Sequence, residues 1–450
     1  VADLLTRDEA KRLADRVLAR SRAEGCQVSL GSGLDGNTRF AANEISTSGD
    51  TINAVLTVSS RFGKRVASVT TNVFDDAGLG RAVDTSERLA RLAPENPELM
   101  PLLGPQTYAD VRAAFPSTEG LDAAARADAV RVATDASTKA GTVAAGFVQR
   151  VVGAEAVANS AGLFAYHRAT RAVYTLTVRT PDGAGSGWAG TSHNDRGRMT
   201  PPATLAARAI EKAVRSRDAV ALEPGRYTVV LEPTAVGNLL GLMAFAMNAR
   251  SAEEGRSFFS KPGGATKIGE KVVDERVTII SDPQDPDLLA DPYTGEGLPI
   301  GRTVWIEKGV VQHLAYDRFW ANKRGVAPTP LGGGLKMAGG TASLDELIAG
   351  VSRGLLVTRF WYIRGVDPRS ILNTGLTRDG LFLIENGRVT RAVRNFRFNE
   401  SPVVMLNNLE ALGRPERVSA SESGGVGGNA VVVPPIVARE FTFTSISEAV

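Results

Sequence analysis

The sequence predicts an α+β protein of two domains. Residues 1–220 are expected to form an N-terminal α/β domain of antiparallel strands and helices, and residues 221–450 a β-rich domain with one buried helix. Three observations lead there. A chain of 450 residues exceeds what one ordinary core serves. A hydrophobic content of 43% with 22% charged residues is that of a globular, water-soluble chain. The patterning also changes at DAVALEPGRY (218–227): before it, alternating runs are interleaved with amphipathic helices, and after one strong helix, strand follows strand through glycine-rich connections.

The first element is an amphipathic helix within LLTRDEAKRLADRVLARSRAEG. Thr6 and Glu9 have capping-box spacing, Ala10, Leu13, Ala14, Val17 and Leu18 form one apolar stripe, and Gly25 is expected to stop it. Its recurring charges exclude a secretory signal. CQVSL, TRFAANEIST, TINAVLTVSS and KRVASVTTN read as antiparallel strands, with a hairpin turn at residues 61–64. Asp75 or Asp76 caps a helix that runs to about Leu92 and ends before PENPELMPLLGP. A second round follows: a helix from Asp122 to Lys139, strands from Phe147 to Thr180 turning at Asn159 to Gly162, and a helix from Pro201 to about Arg217.

The second half opens on the helix EPTAVGNLLGLMAFAM (232–247). RVTIIS, TVWIEKGVVQHLAY, GLFLIENGRVTRAV and VVMLN then read as strands, with hairpin turns at E-K-G and E-N-G and one helical interruption at 343–350.

Composition excludes several functions. A net charge of +3 gives no electrostatic footprint for nucleic acid. The longest apolar stretch, Leu239 to Met247, is far short of the ~20 residues of a membrane span. A single cysteine, Cys26, rules out a disulfide framework and favours a cytoplasmic setting.

GSGLDG (31–36) matches G-x-G-x-x-G but is followed by a strand-like run rather than a helix, so a glycine hairpin is the better reading. LGGGLKMAGG (331–340) lacks the Gly-Lys-Ser/Thr ending of a phosphate loop; a closing loop or a plain connection both fit. GTSHN (190–194) lacks the last glycine of a nucleophile elbow and reads as a polar loop. His167, His193 and His313 are not within helical reach of one another, and SDPQDPDLLADP lacks the glycine and terminal glutamate of a calcium loop.

Between Arg353 and Glu400, arginines interleave with aromatics. Strand alternation places Arg359, Trp361 and Ile363 on one face and Phe360, Tyr362 and Arg364 on the other. Guanidinium groups beside aromatic surface can hold carboxylates or stack. Arg359, Tyr362, Arg364, Arg394 and Arg397 are therefore the candidate substrate-binding residues, the other arginines serving Asp367, Asp379 and Glu400.

In the helix at 232–247, Pro233 suits the first helical position, Gly237 and Gly241 permit close approach, and apolar residues surround the axis. The helix is expected to be buried, so Thr234 and Asn238 need partners. Here the chain resembles the TldD/PmbA family of metallopeptidases and their inactivated homologues. The resemblance rests on TRFAANEIST, AVANSAG, TAVGN, GEGLPIGRTVWIEKGV, AYDRFWANKRGVAP, FWYIRGVDPRSILNTGLTRDGLFLIENGRV and NFRFNES. In the TldD branch the helix carries H-E-x-x-x-H, with a further cysteine ligand near the C-terminus. Laid onto this chain, Pro233 stands for the first histidine, Thr234 for the glutamate and Asn238 for the second histidine. No cysteine follows residue 26, and SESGGVGGNAVVV (421–433) occupies the region where one is expected.

The family chemistry needs imidazoles to hold the ion and a carboxylate to deprotonate its water. Proline, threonine and asparagine supply neither. The resemblance therefore implies the metal-free, TldE/PmbA-like branch, with no catalytic residue and no metal of its own. It implies a cytoplasmic dimer, foremost a heterodimer with a zinc-bearing TldD-type subunit, acting on unfolded peptides without membrane or nucleic acid. Two alternatives stay open: a homodimeric hydrolase built on His313 or His193 with a carboxylate, and a non-enzymatic modulator of a topoisomerase or toxin system, the family's older association with DNA gyrase.

Overall fold

The computed structural model describes residues 4–418 and 430–447. Helix α1 (Arg7–Arg20) carries the expected capping box: the Thr6 hydroxyl accepts from the Glu9 amide at 3.3 Å, and the Glu9 carboxylate accepts from the Thr6 amide at 2.9 Å. The helix ends at Ser21, and Gly25 instead opens strand β1 (Gly25–Ala41). Strands β2 (Glu44–Phe62) and β3 (Arg65–Thr71) follow, then α2 (Asp76–Leu92), capped by Asp75. The short α3 (Pro116–Glu119) precedes α4 (Ala123–Lys139), capped by Asp122. Strands β4 (Val143–Asn159), β5 (Phe164–Arg179) and β6 (Ser186–His193) and helix α5 (Pro202–Arg215) complete the N-terminal half.

These strands form one antiparallel sheet in the order β3-β2-β1-β4-β5-β6. The helices cover one face. Ala14 and Val17 of α1 and Leu79 and Val83 of α2 pack against Val28, Leu56 and Ala156, while α4 and α5 pack against Val148, Tyr174 and Leu176. Two expectations are corrected. TRFAANEIST is not one strand: Ala42 and Asn43, at φ 52° and 62°, make the two-residue turn between β1 and β2. GSGLDG is not a hairpin but the middle of β1, where Gly33 lies opposite Gly153 of β4.

The second half runs β7 (Gly225–Leu231), α6 (Pro233–Ala246), α7 (Ala249–Glu253), β8 (Ile279–Ser281), β9 (Thr303–Glu307), β10 (Val310–Val311), α8 (Arg318–Arg324), β11 (Leu335–Met337) and α9 (Leu344–Ala349). It continues with β12 (Arg353–Asp367), β13 (Leu372–Glu385), β14 (Arg388–Ala392), β15 (Phe396–Glu400), α10 (Pro402–Asn407), β16 (Leu409–Leu412), β17 (Glu416–Val418), β18 (Val431–Val433) and β19 (Ile436–Ile446). One sheet has the order β10-β9-β8-β11-β18-β17. In the other, β12-β7-β19-β15-β13, strand β13 pairs back to β12 and closes a barrel. Closure removes open edges, and the interior holds Phe360, Phe396, Phe398, Phe441 and Phe443, all buried with rings in contact. Helix α6 packs into the same apolar core, which extends to Trp305 in the neighbouring sheet.

Four further readings change. VVMLN is helical rather than a strand, because Pro402 takes the first helical position and the Ser401 hydroxyl accepts from the Val403 amide at 3.2 Å. GTSHN lies at the end of β6 rather than in a loop. LGGGLKMAGG contains β11, and Lys336 within it is held by Asp285 at 2.8 Å and Asp287 at 3.0 Å. Alternation also fails in β12: Tyr362 adopts φ 52° and the pairing register shifts on both sides of the 359–361 segment, so Phe360 points into the barrel while Tyr362 is exposed.

Candidate functional site

Helix α6 leaves β7 with Glu232 at its N-cap and Pro233 at its first position. Proline has no N–H to leave unsatisfied there, so the helix starts where the strand ends. The Glu232 carboxylate is used elsewhere: Lys212 of α5 meets it at 2.7 Å and the Thr358 hydroxyl lies 3.4 Å away. Ala235, Val236, Leu239, Leu240 and Met243 are buried, whereas Phe245 is 57% exposed, so the helix is buried on most sides but not all. Gly237 lies against the side chains of β17 and β18. A Cβ there would come within 2.9 Å of Val418 Cγ2, which makes the contact between helix and sheet tight.

Thr234 and Asn238 are both half-buried. Asn238 Oδ1 is shielded from solvent without a hydrogen-bond partner among the described residues. It is a single neutral acceptor, with Pro233 and Thr234 beside it in the motif. A catalytic zinc needs anionic or imidazole ligands and a base. These residues do not fit one, and among the described residues no three His, Cys, Asp or Glu side chains gather as a metal-binding group. Most of SESGGVGGNAVVV, residues 421–429, lies outside the described residues.

The histidines are dispersed. His193 Nδ1 accepts from the Asp195 amide at 2.9 Å, and burial together with Arg417 and Arg198 pushes its pKa down to about 4. His313 Nδ1 lies 2.8 Å from the Val304 carbonyl. His167 Nε2 has no hydrogen-bond partner among the described residues; Asp291 lies 3.9 Å away, and burial lowers the His167 pKa. Cys26 is a buried thiol whose pKa is raised by that burial. At the N-terminal end of α6 there is a cleft of about 470 Å³ with charges of both signs, among them Lys212, Arg208, Glu232 and Asp345.

The five candidate arginine and tyrosine positions fall into two groups. Arg359 is 5% exposed, donates to Asp379 Oδ2 at 2.7 Å from Nε and again from its terminal nitrogen, and lies between the rings of Trp188 and Trp361 at 4.9 and 5.1 Å. Asp379 also accepts from Ser186 of β6, so this buried pair joins the barrel to the N-terminal sheet. Arg394 borders the same joint, its amide bonded to the Val220 carbonyl at 2.9 Å. Tyr362, Arg364 and Arg397 lie instead at one exposed end of the barrel. Arg364 sits over the Tyr362 ring at 4.2 Å, Thr374 is its cross-strand partner, and Arg397 reaches the Thr374 hydroxyl at 3.5 Å.

Comparison with known proteins identifies this arrangement. Residues 115–217 match the PmbA/TldA metallopeptidase central domain and residues 224–445 the PmbA/TldA metallopeptidase C-terminal domain. The chain belongs to the TldD/PmbA family. Within that family, a metalloprotease of Methanothermobacter thermautotrophicus is 27% identical over 244 residues, 50% of each chain. A metalloprotease of Archaeoglobus fulgidus is 29% identical over 159 residues, 34% of this chain and 33% of that one. The matched part thus spans about half the length of the first relative and less of the other. The fold is that of TldE from Thermococcus kodakarensis, with a TM-score of 0.84 at 17% identity over 97% of this chain and 100% of the other. A Thermotoga maritima protein described as a proposed modulator of a DNA gyrase shares it, with a TM-score of 0.83 at 18% identity, 97% and 100% covered. Among the described residues no helix is long and apolar enough to cross a membrane.

Proposed function

We propose that this chain is a TldE/PmbA-like subunit that does no metal chemistry itself and pairs with a zinc-bearing TldD-type subunit to enclose a cavity in which unfolded peptides are cleaved. The observation that carries the reading is helix α6. It stands at the start of the barrel domain, but presents Pro233, Thr234 and Asn238 where the active branch presents two imidazoles and a carboxylate. A neutral amide and a hydroxyl cannot hold a zinc ion and activate its water near neutral pH. The contribution left to this subunit is shape: Tyr362, Arg364 and Arg397 form an exposed basic and aromatic surface suited to the carbonyls and carboxylates of an extended chain.

The test is to purify the chain alone and together with a TldD-type partner, and to measure zinc content and cleavage of an unfolded peptide. The reading expects chelator-sensitive cleavage from the pair and none from the single chain. Stoichiometric zinc with chelator-sensitive cleavage by the lone chain overturns it.

A further inference from the structure

The face of the N-terminal sheet that the helices do not cover carries an acidic pocket. Glu155 of β4 pairs in register with His167 of β5, and on its other side it faces Gly31 of β1. Gly153, two residues along the same face of β4, has Ala169 and Gly33 as cross-strand neighbours. A Cβ on Gly153 would meet nothing within 4 Å, so the surface beside Glu155 is open. The pocket holds about 280 Å³ and is closed from the other side by the 288–291 segment, which brings Asp291 over His167.

Three acceptors meet here without a cation. The Glu155 carboxylate makes no hydrogen bond or ion pair among the described residues, and Asp291 has only His167, 3.9 Å away. Partial desolvation and the Asp291 charge push the Glu155 pKa up, as carboxylates without a counter-ion do to one another. His167 is nine-tenths buried, its Nε2 has no partner, and burial lowers its pKa, so the ring is neutral at pH 7 and does not supply the missing charge. Nor does Arg417 at the far end of the pocket, whose terminal nitrogens are held by the Asn194 side chain and the carbonyls of Asp287 and Leu288. A neutral imidazole with its proton on Nδ1 presents Nε2 as an acceptor. The Asp291 side chain, 57% exposed and held by nothing else among the described residues, is able to turn off the ring as a ligand enters. What is missing is one positive charge carrying N–H donors for three acceptors, and an ammonium group has three. A metal ion fits less well. It draws its ligand atoms to about 2.0–2.2 Å, and no three such side chains among the described residues gather for one, whereas N–H contacts of about 2.8 Å reach a wider set.

We infer that this pocket binds a primary ammonium group, that of a lysine side chain or of the first residue of a peptide, through the carboxylates of Glu155 and Asp291 and through His167 Nε2. The inference rests on residues outside α6 and needs no partner subunit, so it stands or falls separately from the peptidase reading.

Histidine-selective NMR of the full chain at pH 7 tests it, since the chain has only three histidines and His167→Gln assigns the signal in question. Alanine amide offers an α-ammonium, Nα-acetyl-lysine amide a side-chain ammonium, N-acetyl-alanine amide no charge, and tetramethylammonium a charge without N–H. The His167 signal is expected to move saturably with millimolar alanine amide or acetyl-lysine amide, the tighter of the two identifying the source, while the His193 and His313 signals stay in place. The neutral amide and tetramethylammonium should leave all three unmoved. Glu155→Gln with Asp291→Asn should weaken binding at least about tenfold, the scale of one charge-assisted contact. Both side chains are exposed, so the unfolding midpoint of this variant should be unchanged. No movement of the His167 signal with either ammonium probe, an equal response to tetramethylammonium, undiminished binding by the double variant, or a signal that answers to zinc but not to the amines would overturn the assignment.

Discussion

Removing the Asp379 carboxylate should unfasten the two halves of the molecule. The side chain of Asp379 is 0% exposed and that of Arg359 6%, and the guanidinium is enclosed by Trp188 and Trp361. In Asp379→Ala the guanidinium stays buried with its main counter-charge gone, Arg378 adds a second cation nearby, and Ser186 loses its acceptor. Breaking a buried pair from one side costs about 3–5 kcal/mol. Asp379 also sits at φ 54°, a left-handed conformation that alanine adopts poorly, so Asp379→Gly should be milder by about 1 kcal/mol. Replacing both partners, as Arg359→Met with Asp379→Ala, leaves no unpaired charge and should recover part of the loss. The assay is urea unfolding followed by tryptophan fluorescence, because two of the four tryptophans flank the pair. A cost for Asp379→Ala below about 1 kcal/mol, the range of an exposed ion pair, would refute the reasoning. So would a double variant no more stable than the single one.

Buried His193 should make stability depend on acid. Its folded pKa of about 4 lies below the ordinary 6.5, so folding favours the neutral ring. Its contribution is complete above pH 6.5 and is lost as pH falls toward 4, up to about 3 kcal/mol. Urea midpoints at pH 7 and pH 5 should differ less in His193→Gln than in the parent, and equal differences would argue against this. Asn238→Leu removes a buried acceptor without a partner and should leave stability unchanged or raise it by about 1 kcal/mol in thermal unfolding. A loss of 2 kcal/mol or more would show that Oδ1 is satisfied in solution. In the proposed two-subunit complex, Arg364→Ala with Arg397→Ala should raise KM for an unfolded peptide several-fold, at up to about 1 kcal/mol per exposed contact, with unchanged melting of the chain; an unchanged KM would remove these residues from the proposed substrate surface.

How far the sequence could be read depended on the range of the interactions involved. Local chemistry was legible. Thr6 with Glu9, Asp75, Asp122, Ser343 and Pro233 mark helix starts through hydrogen bonds or dihedral constraints within three residues, and each helix begins there. The turns at Gly63, Lys308–Gly309 and Asn386–Gly387 were equally local. Features set by distant partners were not. Ala42–Asn43 turns without a glycine because Asn43 is held by Ala144 and Thr142 from 99 or more residues away. Arg359 could not be told from its exposed neighbours, since its partner lies across a strand pair whose alternation breaks at Tyr362. The pocket around His167 was present in the sequence only as isolated parts, with GSGLDG, His167 and Asp291 each set aside on its own. Register across β1, β4 and β5 sets Gly33 opposite Gly153 and His167 opposite Glu155, and the loop that follows β8 brings Asp291 to 3.9 Å from His167.

The most direct test of the central claim is native mass spectrometry of this chain mixed with a TldD-type subunit from the same organism. The account predicts a one-to-one complex carrying a single zinc ion, and a zinc-free species when this chain is sprayed alone. A zinc-loaded homodimer of this chain, with no exchange into a mixed complex, would contradict it.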